Sequence, residues 1–162
     1  MMKLLFVCTG NICRSPTAEA IAKHIIQKKE LSGQVLAASA GLQGHHLGDS
    51  PDERTKVAGK KRGYTFDSTA QLFQLAHFFE YDWIIAMDHT HLQRLQKIMP
   101  KGKVRSRIVE MINYCQVDSK RIALGIPDPY YGESKDFELV LDLLEVGIKN
   151  FFDKEVIPSC LK

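Results

Sequence analysis

The chain has 162 residues, 44% of them hydrophobic and 25% charged, with a formal net charge of +3. That is material for one domain with a real core, and the balance excludes a disordered or repetitive chain. The small charge gives no reason to expect a nucleic-acid partner, no apolar run approaches membrane-spanning length, and the four cysteines come without a secretion signal, against a disulfide scaffold. The expectation is a protein of a reducing, cytoplasmic setting without membrane insertion; oligomeric state is not legible.

Residues 3–8 read as a first strand, since the run Leu4-Leu5-Phe6-Val7 is too short for a signal peptide. A helix is predicted over 16–29, opening on Pro16 and gathering Ala18, Ile21, Ala22 and Ile25 on one face. A second strand at 35–40 stops at Gly41, and a polar loop over 44–52 carries His45, His46 and Pro51. Residues 52–62 look helical, with Gly63 as the stop, and 73–79 form a short helix or irregular segment. A continuous apolar strand spans 82–87, a helix 89–98 precedes Pro100, and 107–111 supply a fourth strand. After a loop at 126–133, the helix 136–152 lines up Phe137, Val140, Leu141, Leu144 and Ile148. Strands alternating with helices predict an α/β fold: one domain over residues 1–162, a doubly wound four-stranded parallel sheet flanked by helices, with ligands at the carboxyl ends of the strands.

The stretch Val7-Cys8-Thr9-Gly10-Asn11-Ile12-Cys13-Arg14-Ser15-Pro16 joins the first strand to the first helix. A polar loop at a helix N-terminus is an anion site, because its N–H groups and the helix dipole both favour negative charge. Cys8 opens the loop and Arg14 closes it with five residues between, a span that can wrap a tetrahedral phosphate. This arrangement sets a thiol below phosphorus and a planar guanidinium fork on its oxygens. Such surroundings stabilise a thiolate, which can attack phosphorus as a nucleophile. Gly10 and Asn11 tolerate a left-handed turn, and Ser15 can cap the helix or hydrogen-bond Cys8. Thr9, Gly10, Asn11, Ile12, Cys13 and Ser15 are therefore the candidate binding residues beside Cys8 and Arg14.

A second motif, Asp128-Pro129-Tyr130-Tyr131-Gly132, supplies what the loop lacks. A phenoxide leaving group has a conjugate acid of pKa about 10, so its departure at neutral pH needs a general acid. Asp128 is the candidate, held extended by Pro129, and Tyr130 and Tyr131 offer an aromatic wall. A third motif is Ala86-Met87-Asp88, after the apolar strand; Asp88 reads equally as a cap for the following helix and as a site residue.

On these three motifs the sequence resembles the low-molecular-weight protein tyrosine phosphatases over nearly its whole length. The resemblance implies hydrolysis of phosphotyrosine proteins or aryl phosphates through a phosphocysteine on Cys8. It makes Arg14 the phosphate fork, Asp128 the general acid, and Tyr130 and Tyr131 pocket residues, with no cofactor and no metal. It also implies a left-handed Asn11 supported by Ser15 and Ser39, a pocket-wall place for His45, and a Cys13 able to form a reversible disulfide with oxidised Cys8. The chain departs from the family pattern at Asp67-Ser68-Thr69-Ala70, where a His-x-Ala-Arg stretch is common, and at His91, where an Asn is usual.

Four other readings compete. A thioredoxin-coupled arsenate reductase needs resolving cysteines that do not occur between Cys13 and Cys115. A protein-arginine phosphatase resembles the loop but carries Thr in place of Ile12 and lacks the paired tyrosines. A phosphopeptide-binding module without turnover would not need Cys8, Arg14 and Asp128 together. Metal binding through His89, His91 and the thiols is disfavoured, because residues two apart on a helix point to different sides.

Overall fold

The computed structural model describes residues 1–117 and 124–161. In chain order it contains β1 (Met2–Cys8), α1 (Arg14–Lys28), β2 (Val35–Gly41), α2 (Glu53–Lys61), α3 (His77–Glu80), β3 (Trp83–Ala86), α4 (His89–Ile98), β4 (Arg107–Glu110), a 3-10 turn (Met111–Tyr114) and α5 (Ser134–Phe151). A π-helical turn (Phe152–Val156) and a last short helix, α6 (Ile157–Cys160), extend α5.

All three strand pairings are parallel and the sheet order is β2-β1-β3-β4. The architecture is the expected single-domain α/β fold with a four-stranded parallel sheet flanked by helices. Alternate residues of the central strands enter different cores. Leu4, Phe6, Trp83 and Ile85 pack with the apolar faces of α1 and α5, and all five residues predicted to align on α5 are buried there. Leu5, Val7, Ile84 and Ala86 pack with Phe78 and Leu95 from α3 and α4. Burial on both faces accounts for the unbroken apolar runs in β1 and β3.

The order places the site. From β1 the chain passes through α1 to β2 on one side, then crosses to β3 on the other. The connections diverge at the carboxyl end of β1, where such sheets bind ligands. Cys8 is the last residue of β1 and Asp88 follows shortly after β3. The segment carrying Asp128 is tied beside them: Ile126 donates its backbone N–H to the Met87 carbonyl at 2.8 Å, and Gly125 bridges Asp88. Gly125 has φ +112°, and a Cβ there would meet the Asp88 Cα at 2.5 Å, so only glycine permits this approach.

Several boundaries differ from expectation. Helix α1 begins at Arg14, so Pro16 is its third residue and not its first, and its N-cap, Cys13, makes no side-chain cap. Helix α5 begins two residues early because Glu133 and Asp136 form a capping box. Strand β4 ends at Glu110, and Met111 starts the 3-10 turn. The short helix near 73–79 resolves as α3, starting only at His77.

Candidate active site

The loop from Cys8 to Arg14 turns on Asn11, whose φ is +58°; Gly10 keeps a negative φ. A non-glycine residue in this region needs support. The Asn11 amide receives it on every polar atom. Its Nδ2 donates to Ser15 Oγ and to Ser39 Oγ, each at 2.8 Å, and its Oδ1 accepts the Gln71 backbone N–H at 3.0 Å. The Gln71 contact comes from the segment just beyond the atypical 67–70 stretch, and Asp67 there binds Lys23 at 2.7 Å.

Ser15 Oγ already accepts from Asn11, so its own proton is free to donate to Cys8 Sγ, 3.0 Å away. Ser15 therefore serves the thiol and does not cap α1. Among the described residues, the backbone N–H groups of Gly10, Asn11, Ile12 and Cys13 have no acceptor within the chain. Free N–H groups at the start of a helix are the kind of donors that suit an anion.

Arg14 is 4% exposed and is aimed by its neighbours. Its Nη1 donates to Asp88 Oδ2 at 2.8 Å and to the Ile126 carbonyl at 3.0 Å. Its Nη2 lies 3.5 Å from Asp128 Oδ2 and 3.5 Å from Thr9 Oγ1. Asp88 combines the two roles the sequence left open: Oδ2 holds Arg14, while Oδ1 caps α4 through the His91 N–H at 3.0 Å. Burial opposes its charge, but bonds from Thr90, His91 and Arg14 outweigh it and hold the Asp88 carboxyl below the usual carboxylate range.

His91 is also part of the site. Its Nδ1 accepts the Asp88 backbone N–H at 3.2 Å, so the proton of the neutral ring sits on Nε2 and donates to Thr9 Oγ1 at 2.8 Å. Burial, reinforced by the Arg14 charge, pushes its pKa down to about 4. His89 points elsewhere, half exposed against Glu110.

The cleft over the loop measures about 310 Å³. Cys8, Thr9, Gly10, Ile12, Cys13 and Arg14 line it from the loop, Asp128, Tyr130 and Tyr131 from the Asp-Pro segment, and Gln43, His45 and His46 from the segment after β2. Of the residues predicted for the site, only Asn11 and Ser15 lie behind it, as supports. Tyr131 is 94% exposed at the rim. The Tyr130 ring lies 5.6 Å from the Arg54 guanidinium and 4.8 Å from the Tyr131 ring, edge to face. Arg54 is itself gripped by Asp52, whose backbone N–H donates to the Ile12 carbonyl at 2.8 Å. Burial pushes the Cys13 thiol up to about 12.

Nothing in the sequence singles out Arg54, Gln43 or Gln71. Arg54 reads there as an ordinary surface helix residue, and Gln71 contributes through its backbone, which leaves no signal in a side-chain pattern.

Sheet order and loop together define a class: doubly wound α/β proteins with a free thiol at the end of the first strand, at the head of the loop into the first helix. A sequence model of the low molecular weight phosphotyrosine protein phosphatases matches residues 3–158, so the chain belongs to that family of cysteine-dependent phosphoric monoester hydrolases. The low molecular weight phosphotyrosine protein phosphatase of Saccharomyces cerevisiae is 35% identical, over 96% of both chains. A crystal structure of the protein tyrosine phosphatase of Entamoeba histolytica, with Hepes in its active site, superposes with a TM-score of 0.90 at 38% identity. It covers 98% of this chain and 99% of that one. The Drosophila arginine phosphatase superposes with a TM-score of 0.86 at 28% identity, covering 94% and 96%.

Proposed function

We propose that the protein hydrolyses phosphotyrosine in proteins by a two-step displacement through Cys8. In the first step the Cys8 thiolate attacks phosphorus. The S–P bond forms, the P–O bond to the tyrosine ring breaks, and the leaving phenoxide takes the proton of Asp128. In the second step water attacks the phosphocysteine. Asp128 receives a proton from that water, the S–P bond breaks, and inorganic phosphate leaves a thiolate that the Ser15 hydroxyl stabilises. The Arg14 fork and the loop N–H groups hold the phosphoryl oxygens throughout, where transition-state charge gathers.

The observation that carries this reading is that Cys8, Arg14 and Asp128 line one cleft, with Asp128 Oδ2 3.5 Å from Arg14 Nη2. Asp128 is half exposed at the mouth, suited to meet a leaving oxygen and then a water. Ile12, Tyr130 and Tyr131 offer apolar and aromatic surface to a phenyl ring. Four cysteines, all unpaired, accord with a cytoplasmic setting.

The likeness to an arginine phosphatase gives a second reading: hydrolysis of a phosphoramidate. Its guanidinium product leaves without a ring for the tyrosine wall to hold. Rates on matched peptides bearing phosphotyrosine, phosphoarginine or phosphoserine separate the readings. Phosphotyrosine is expected to be the fastest by far. Preference for phosphoarginine would overturn the assignment, and no turnover of any of the three would leave a binding module.

A further inference from the structure

The support of the phosphate loop does not end at Ser39. Ser39 Oγ accepts from Asn11, so its own proton is free, and it donates that proton to Oε2 of Glu19. Glu19 lies on α1 and is only 4% exposed. A carboxylate at that depth is costly unless a cation and hydrogen bonds compensate it. The cation is Lys23, one helical turn on, with Nζ 2.7 Å from Glu19 Oε1. No other cation among the described residues pairs with Glu19. Lys23 also binds Asp67 Oδ1 at 2.7 Å, which draws the ammonium across from the neighbouring segment. An unbroken line of polar contacts therefore runs from a partly exposed lysine, through Glu19, Ser39 and Asn11, to Ser15 and the Cys8 thiol.

We propose that Lys23 is a positioning residue for the phosphate-binding loop: it holds the buried Glu19 carboxyl in place as the acceptor for Ser39, and so fixes the amide that holds Asn11 in its left-handed turn. The inference rests on the function proposed above and adds to it a residue that never touches substrate. Its physical content is directional. Asn11 Nδ2 can only donate, so Ser39 must accept from it and send its own proton onward. An acceptor without a compensating cation would reorganise, and the order would be lost at Ser39 first. Lys23 reads from sequence as half of an ordinary i,i+4 helix pair, because the burial of Glu19 appears only once α1 is packed against the sheet.

The test compares Lys23→Met, Lys23→Arg and the double variant Glu19→Gln/Lys23→Met with wild type. Three quantities are read: kcat and KM on a phosphotyrosine peptide, affinity for inorganic phosphate by calorimetry, and the thermal midpoint. Lys23→Met is expected to lower kcat and phosphate affinity together by about tenfold, short of the ~100-fold cost of a 1 Å misplacement of reacting groups. Lys23→Arg keeps the cation and restores both. The double variant recovers most of the loss, since a neutral glutamine accepts from Ser39 without needing a cation. A Lys23→Met protein with unchanged kcat and phosphate affinity would overturn the proposal, whether or not its thermal midpoint moved. So would a loss that neither Lys23→Arg nor the double variant repairs. Phosphate binding is read without turnover, so an inactive wild type would contradict the proposed function while leaving the Lys23 comparison decisive.

Discussion

Arg14 and Asp88 are joined by a bond of 2.8 Å in which one guanidinium nitrogen, Nη1, is committed to the protein. The same nitrogen holds the Ile126 carbonyl, so Asp88 and the segment leading to Asp128 share one anchor, and Nη2 stays on the cleft side near Asp128. Asp88 thus aims the fork. Asp88→Ala removes that aim together with the cap of α4. A hydrogen bond to a charged group is worth about 1.5–3 kcal/mol, so kcat/KM on an aryl phosphate should fall by roughly 10- to 100-fold. Asp88→Asn, which keeps a cap and one acceptor, should lose less. Equal activity in all three proteins would show that Arg14 is held by other means.

His91 makes stability depend on pH with a definite sign. Its pKa is near 4 in the folded chain against 6.5 for an unperturbed histidine. As pH falls, the unfolded chain takes the proton first, so this contribution is complete above 6.5 and is lost on the way down to about 4. The shift corresponds to stability on the order of 3 kcal/mol. Replacement by Asn removes the titration, so urea unfolding of His91→Asn should show a shallower loss of stability than wild type across that window. Parallel curves would place the acid sensitivity elsewhere.

Cys13 lies on the same loop as Cys8, and the pairing expected from the resemblance is a disulfide formed after mild oxidation. Attack by Cys13 on an oxidised Cys8 requires its thiolate, which burial makes scarce by pushing the pKa up to about 12. After peroxide treatment, the rate of disulfide formation should therefore climb about tenfold per pH unit through neutrality. Cys13→Ser should leave inactivation that thiol reductants reverse less well. Peptide mapping that finds no Cys8–Cys13 link at any pH would leave Cys13 as a packing residue.

Asp128 is assigned by leaving-group chemistry, and a series of aryl phosphates tests it. Phosphotyrosine expels a phenoxide of pKa about 10 and needs the proton most, whereas a nitrophenol leaves readily as its anion. General acid–base help is worth about 100- to 10,000-fold. Asp128→Ala should lose most of that on phosphotyrosine and far less on nitrophenyl phosphate. A uniform loss across the series would mean that the acid is another group.

The sequence discloses the fold because its strong signals are local and agree. The apolar runs ending at Cys8 and Met87, the facing residues of α5 and the stop at Gly63 each follow from burial and turn chemistry. The loop is legible because a thiol and an arginine stand with five residues between them where a strand gives way to a helix, and Asp128 through leaving-group chemistry and the family resemblance. What stays hidden depends on distant packing. Gln71 contributes a backbone N–H from 60 residues away, and Arg54 reaches the Tyr130 ring only because α2 lies beside that loop. His91 looks like a departure in a capping position, yet the capping geometry turns its ring onto Thr9. The extension past Phe151 is hidden from helical periodicity because a π-helical turn shifts the hydrogen-bond register that the periodicity assumes.

The central claim is a covalent intermediate on Cys8. Rapid acid quenching of Asp128→Ala during turnover of an aryl phosphate, followed by peptide mass mapping, tests it most directly. The account predicts one phosphoryl group on the peptide containing Cys8, absent from Cys8→Ser, which should still bind phosphate but turn nothing over. A phosphoryl group on any other residue, or sustained turnover by Cys8→Ser, would contradict it.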